Sequence, residues 1–168
     1  MSRSKSFCGA YPRKTLNWLL LVLALVLAIR EWICMPALVF GTSMAPTLQD
    51  GQVVLVNKLA YLFRAPARGD IVCIWTGREF LIKRIIGLPG EGVALQNGKL
   101  YVNGRLVLEP YADHPGEVEI APGKIPANSF GVIGDNRLGT IVAVVNRGRI
   151  VGERIEKQRW LLPLLSIP

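Results

Sequence analysis

The sequence predicts a mostly β protein, a compact antiparallel β domain carried behind one N-terminal transmembrane helix. Three observations lead there. The one membrane-length apolar segment lies before residue 40. Beyond it, short runs rich in β-branched and aromatic residues alternate with Gly, Pro and Asn turn signals. Two Asn-Gly pairs, Asn97-Gly98 and Asn103-Gly104, separate three of those runs, and Asn-Gly suits the type I′ turn of a tight hairpin. At 168 residues, 51% of them hydrophobic, the chain has room for one packed domain plus an anchor.

The anchor comes first. Residues 16–29 are apolar apart from Asn17, and at the helical rise they extend about 21 Å, short of a ~30 Å hydrocarbon core. Continued to Met35, just before the helix-stopping Pro36, the helix gains the missing length. Arg30 and Glu31 then lie at the far interface, where Arg30 can snorkel and Trp32 can sit among headgroups. A cleaved signal peptide is the competing reading, because Arg13 and Lys14 precede a short apolar run. No small-x-small site follows, since residues 37–39 end in Val39 and residues 28–30 end in Arg30. Arg3, Lys5, Arg13 and Lys14 precede the span without an acidic residue, whereas Glu31 offsets Arg30 beyond it. The positive-inside bias therefore puts the N-terminus in the cytoplasm and the β domain on the opposite side. The expected division is a basic cytoplasmic N-terminus at 1–14, an anchor at 15–35 and the β domain at 36–168.

Strands are expected at 52–57, 70–76 and 80–86, and a meander at 93–96, 99–102 and 105–107 around the Asn-Gly turns. Residues 130–134, 141–145 and 149–155 complete the set, with one helical turn near 58–63. Pro110, Pro115, Pro122 and Pro126 mark looser connections. The apolar stretch 160–168 is too short to span a membrane and reads as packing of a last strand or as a membrane-facing edge.

Composition excludes several chemistries. The single histidine, His114, sits in a turn-like stretch and reads as a surface residue more readily than as part of a triad. Cys8, Cys34 and Cys73 are scattered, with no C-x-x-C and no second histidine to build a metal site. Cys34 with Cys73 is a possible pair if the domain faces an oxidising compartment, and nothing in the sequence demands it. No metal or cofactor is expected, and residues 87–92 lack the GK[ST] of a phosphate loop. The net charge of +8 is spread among strand residues without an aromatic platform, which argues against nucleic acid and for attraction to lipid headgroups.

Ser43, just beyond the anchor, and Lys83, forty positions later in an apolar strand, are the parts of a Ser-Lys hydrolase. Along that strand Leu81, Lys83 and Ile85 share one face, and Ile82 and Arg84 the other. If the lysine face is buried, desolvation lowers the ammonium pKa toward the range of a general base. The pattern alone equally allows Lys83 outward and Arg84 inward.

Four blocks, in order, carry a resemblance over residues 41–155. They are Ser43-Met44-Ala45-Pro46-Thr47-Leu48, Arg68-Gly69-Asp70-Ile71-Val72, the run 82–91 with Lys83-Arg84 and Gly87-Leu88-Pro89-Gly90-Glu91, and the run 130–137 with Gly134-Asp135-Asn136. Together they resemble the type I signal peptidases, the Ser-Lys family that includes bacterial leader peptidases and mitochondrial inner-membrane peptidases. The resemblance implies a catalytic domain of signal-peptidase type, with Ser43 as nucleophile and Lys83 as base and then acid. The Ser43 backbone N–H would donate to the oxyanion. Gly41 stands where some members carry a further hydroxyl donor. The family usually continues past Gly-Asp-Asn as S-x-D-S-R. Here Thr140 falls at the first serine's offset, where it would orient the lysine, Asp135 keeps its place near the site, and Arg147 could stand for the arginine only after a shift.

The resemblance implies a membrane-bound serine endopeptidase that removes signal peptides from translocated precursors with small residues at −3 and −1. Its place would be the bacterial inner membrane facing the periplasm or exterior, or the mitochondrial inner membrane. A peptidase dedicated to one secretion or conjugation partner, and a degenerate member acting as a binding scaffold, are the alternatives.

Overall fold

The computed structural model describes residues 13–112, 118–138 and 140–155. Helix α1 spans Arg13–Trp32, a stretch with no glycine or proline. Its side chains from Leu16 to Ile29 are exposed on every face. Among the described residues no helix is long and apolar enough to cross a membrane.

The helix stops three residues before the expected Met35. The cause is strand pairing: β1 (Cys34–Leu38) runs antiparallel to β2 (Val53–Asn57), with Cys34 opposite Asn57 and Leu38 opposite Val53. Pro36 lies inside β1 rather than at a helix end. It is tolerated because β1 is an edge strand, with only one side hydrogen-bonded.

The remaining strands are β3 (Ile71–Trp75), β4 (Phe80–Gly87), β5 (Gly92–Gln96), β6 (Lys99–Val102), β7 (Arg105–Val107), β8 (Ile120–Lys124), β9 (Ser129–Ile133), β10 (Ala143–Asn146) and β11 (Ile150–Arg154). They form a seven-stranded sheet, β1-β2-β11-β3-β4-β9-β10, and a four-stranded sheet, β7-β6-β5-β8. Every pairing is antiparallel. The two Asn-Gly turns have the positive φ at both central residues that a type I′ turn needs: 49° and 69° at Asn97-Gly98, 51° and 77° at Asn103-Gly104. Strand β8 includes Pro122, which the sequence marks as a loose connection. Like β1 it is an edge strand, where the lost donor faces no partner.

Three apolar clusters hold these layers. One, with Val72, Ile74, Ile85, Phe130 and Val132, lies on one face of the large sheet. A second joins the two sheets through Ile86 and Ile133 on one side and Val93, Leu95 and Leu100 on the other. The third packs Met44 and Leu48 against Val39, Val54 and Ile71. That last cluster matters for the site, because it pins the turn carrying Ser43.

Cys34 in β1 and Cys73 in β3 are both free. Two strands lie between them in the sheet, at about 4.8 Å each, so their Cα atoms lie beyond disulfide reach. Burial pushes the Cys73 thiol up to about 11. His114 and residues 156–168 lie outside the described residues.

Candidate active site

Ser43 begins a short turned segment held by Ala45 N–H to Thr42 O at 3.0 Å and Leu48 N–H to Met44 O at 2.9 Å. Met44 and Leu48 are fully buried on either side of this segment, leaving the Ser43 side chain half-buried at its edge. The segment is also tied to the end of β9. Asn136 donates its backbone N–H to Ser43 O at 3.1 Å and its side-chain amide to Thr42 O at 3.2 Å.

Lys83 comes from the middle of β4, and its Nζ lies 2.8 Å from Ser43 Oγ. The even choice between the two faces of β4 resolves in an unexpected way: both faces are covered. Lys83 and Arg84 are each 8% exposed, on opposite sides of the strand. Burial pushes the Lys83 ammonium below the ordinary lysine range, with the Asp135 carboxylate acting weakly in the opposite direction.

Arg84 meets a full set of partners. Its Nε and Nη2 grip the two Asp135 oxygens at 2.8 and 2.6 Å, and Nη1 donates to Gly69 O at 2.8 Å. The guanidinium also lies over the Tyr111 ring, 3.8 Å from its centre. Asp135 is fully buried and accepts from Thr47 Oγ1 at 2.5 Å, so one carboxylate joins the Ser43 segment to β4. Beside it, fully buried Arg137 donates to Gly134 O at 3.1 Å and to Glu109 Oε1 at 2.7 Å, and Tyr111 Oη donates to the same glutamate oxygen at 2.8 Å.

Other residues singled out in the sequence take different places. The Thr140 hydroxyl is buried and accepts from Gly134 N–H at 2.9 Å; the structure gives it no hydrogen bond to Lys83. A Cβ at Gly134 would collide with both Ser43 O and Thr140 Oγ1, so this position needs glycine for lack of space. Gly41 has φ +77° and donates its N–H to Asp50 Oδ1 at 2.7 Å. It shapes the turn and has no side chain to reach an oxyanion. Among the described residues the Ser43 backbone N–H has no hydrogen-bond acceptor, which leaves it free to donate. Arg147 is engaged elsewhere, donating to Tyr61 O at 2.9 Å.

A hollow of about 460 Å³ opens at Ser43 between residues 35–40 and residues 79–83. Both walls are open strand edges. Among the described residues β1 has no neighbour beyond β2, and β9 pairs with β4 only from Arg84 onward, leaving residues 80–83 without a strand partner on that side. An extended peptide can lie there as an added strand.

The sequence pattern of the family described as "Signal peptidase, peptidase S26" matches residues 13–153 of this chain. The chain belongs to that family. A signal peptidase I of Bacillus amyloliquefaciens is 38% identical over 151 residues, covering 80% of this chain and 78% of the relative. Signal peptidase I T of Bacillus subtilis (strain 168) is 37% identical over 155 residues, covering 83% and 80%. A solved signal peptidase I from Enterococcus faecalis V583 aligns over 54% of this chain and 97% of its own, at 24% identity and a TM-score of 0.48. The matched residues include Ser43 and Lys83. The Glu109–Arg137 pair and the Tyr111 lid over Arg84 have no signal in the sequence, because their partners meet only through the fold.

Asp135→Asn leaves the buried Arg84 without its counter-charge and is expected to cost about 3–5 kcal/mol of folding stability. Urea denaturation checks this; a loss below about 1 kcal/mol, the value of an exposed pair, would contradict it.

Proposed function

We propose that this chain is a membrane-bound serine endopeptidase that removes signal peptides from translocated precursors through a Ser43–Lys83 dyad. The observation that carries the reading is the 2.8 Å separation of Lys83 Nζ and Ser43 Oγ, with the amine in a site that disfavours its charged form. Family membership supports signal-peptide removal as the reaction.

The chemistry follows from the geometry. Neutral Lys83 takes the Ser43 hydroxyl proton as Oγ attacks the carbonyl of a peptide lying in the 35–40/79–83 groove. The Ser43 N–H donates to the developing oxyanion. The lysine, now charged, gives its proton to the departing amine, and water then releases the acyl chain by the same route. Small, apolar walls from Val39, Met44 and Ile82 favour small side chains before the cleaved bond.

Helix α1 is the proposed anchor, with the N-terminus cytoplasmic and the site on the trans side. A helix that exposes leucine, valine and isoleucine on every face over 16–29 is unstable in water without a cover, and a bilayer supplies one. Phe40, Phe80 and Trp75, exposed at or near the groove, extend apolar surface toward the catalytic pair. Thr140 is proposed to act on the lysine indirectly, by fixing Gly134 beneath Ser43.

In detergent, the protein is expected to cleave a precursor with an Ala-x-Ala site. Ser43→Ala and Lys83→Ala should each abolish the cleavage, and persistence in both would sink the dyad. The kcat/KM should rise with pH as Lys83 loses its proton, levelling off below the ordinary lysine value of about 10.4. An acid limb still climbing past that value would mean the base is a normal, solvated lysine. Thr140→Ser should retain activity, while Thr140→Val, which strips Gly134 N–H of its acceptor, should cost about 1–3 kcal/mol of stability and lower kcat; equal behaviour of the two variants would remove the hydroxyl from the account.

A further inference from the structure

Lys83 lines two hollows. The first, described above, contains Ser43 and one carboxylate, Glu79. The second, about 490 Å³, shares Leu81 and Lys83 with the first but does not include Ser43. Its walls include Thr76, Leu81, Lys83, Ile141, Asn146 and Arg149. The ionisable residues among its lining are Lys83 and Arg149, both basic, and no carboxylate lines it. Arg149 is exposed, and no acidic residue pairs with it among the described residues.

The reaction assigns the two hollows to the two halves of a substrate. The carbonyl carbon bonds to Ser43 Oγ, so the acyl half lies in the hollow that Ser43 lines. As the C–N bond breaks, the leaving nitrogen takes its proton from Lys83, so the departing half starts beside Lys83, which also lines the second hollow. We infer that the second hollow is a subsite for the first few residues after the cleaved bond and that Arg149 selects for acidic side chains there. This rests on the proteolytic reading above and adds a specificity to it. The two sides of the cleaved bond then carry opposite charge preferences, set by Glu79 before it and Arg149 after it. Ile141 and residues 143–146 contribute to this wall, and they belong to the stretch where the sequence departs from the S-x-D-S-R continuation. The altered segment thereby supplies exposed apolar contacts, Ile141 and Val144, to the departing chain.

The test uses the full chain in detergent with three precursors that share one Ala-x-Ala site and one first residue after it. They differ only at the next two positions: two glutamates, two lysines or two glutamines. The wild type should cleave the glutamate precursor roughly three-fold faster in kcat/KM than the lysine precursor, the effect of an exposed ion pair. High salt should shrink that ratio. Arg149→Lys should keep the preference and Arg149→Glu should invert it. A ratio that is the same in wild type and Arg149→Glu would overturn the inference while leaving proteolysis intact. Failure of the wild type to cleave even the glutamine precursor would overturn the proteolytic reading and this subsite with it.

Discussion

Strand β4 buries two neighbouring cations on opposite faces, and the protein treats them differently. Arg84 receives a two-pronged carboxylate, a carbonyl and an aromatic face. Lys83 receives a serine hydroxyl and apolar surroundings. A buried charge persists only when paired, and an unpaired basic group gives up its proton instead. The contrast between adjacent residues separates their parts: a guanidinium that fastens the site together, and an amine whose charged form burial disfavours, which suits the base proposed above.

The fastening reaches most parts of the site. Asp135 holds Arg84 from one side and Thr47 from the other, which couples β4 to the segment that begins at Ser43. Asn136, the next residue, binds the Ser43 and Thr42 carbonyls. Gly134, the residue before, passes so close beneath Ser43 and Thr140 that no side chain fits. Three consecutive residues thus set the height of the nucleophile over the lysine. Arg137 and Glu109 then tie this run to the connection between β7 and β8 of the small sheet, so a stretch with little regular structure is held by charge and hydrogen bonds.

Much of this architecture is legible in the amino-acid sequence. The β-branched runs at 52–57 and 70–76 and the Asn-Gly meander carry period-two patterns and turn chemistry that are local, and local signals survive folding. The strands at 34–38 and 120–124 are not legible, since each contains a proline that is acceptable only at an edge, and edge status depends on distant partners. Ser43 and Lys83 stand out by motif and by strand phase, but phase does not reveal that both faces of β4 are covered. For Thr140 the sequence offers only an offset. In the fold its hydroxyl accepts from the Gly134 N–H instead. Glu109 and Tyr111 sit among residues that look like any surface turn; Glu109 meets Arg137 only through the return of the chain after β9, and Tyr111 meets Arg84 only through β4.

The central claim is that burial beside Ser43 holds the Lys83 ammonium below the ordinary lysine range. The direct measurement is an NMR titration of the lysine Cε–Hε signals of the intact protein, with the Lys83 resonance assigned by its loss in Lys83→Met. Lys83 should titrate below the ordinary lysine value of about 10.4, and lower still in folded Asp135→Asn protein, where the carboxylate that favours the charged amine is gone. A Lys83 resonance that titrates with the surface lysines would contradict the account.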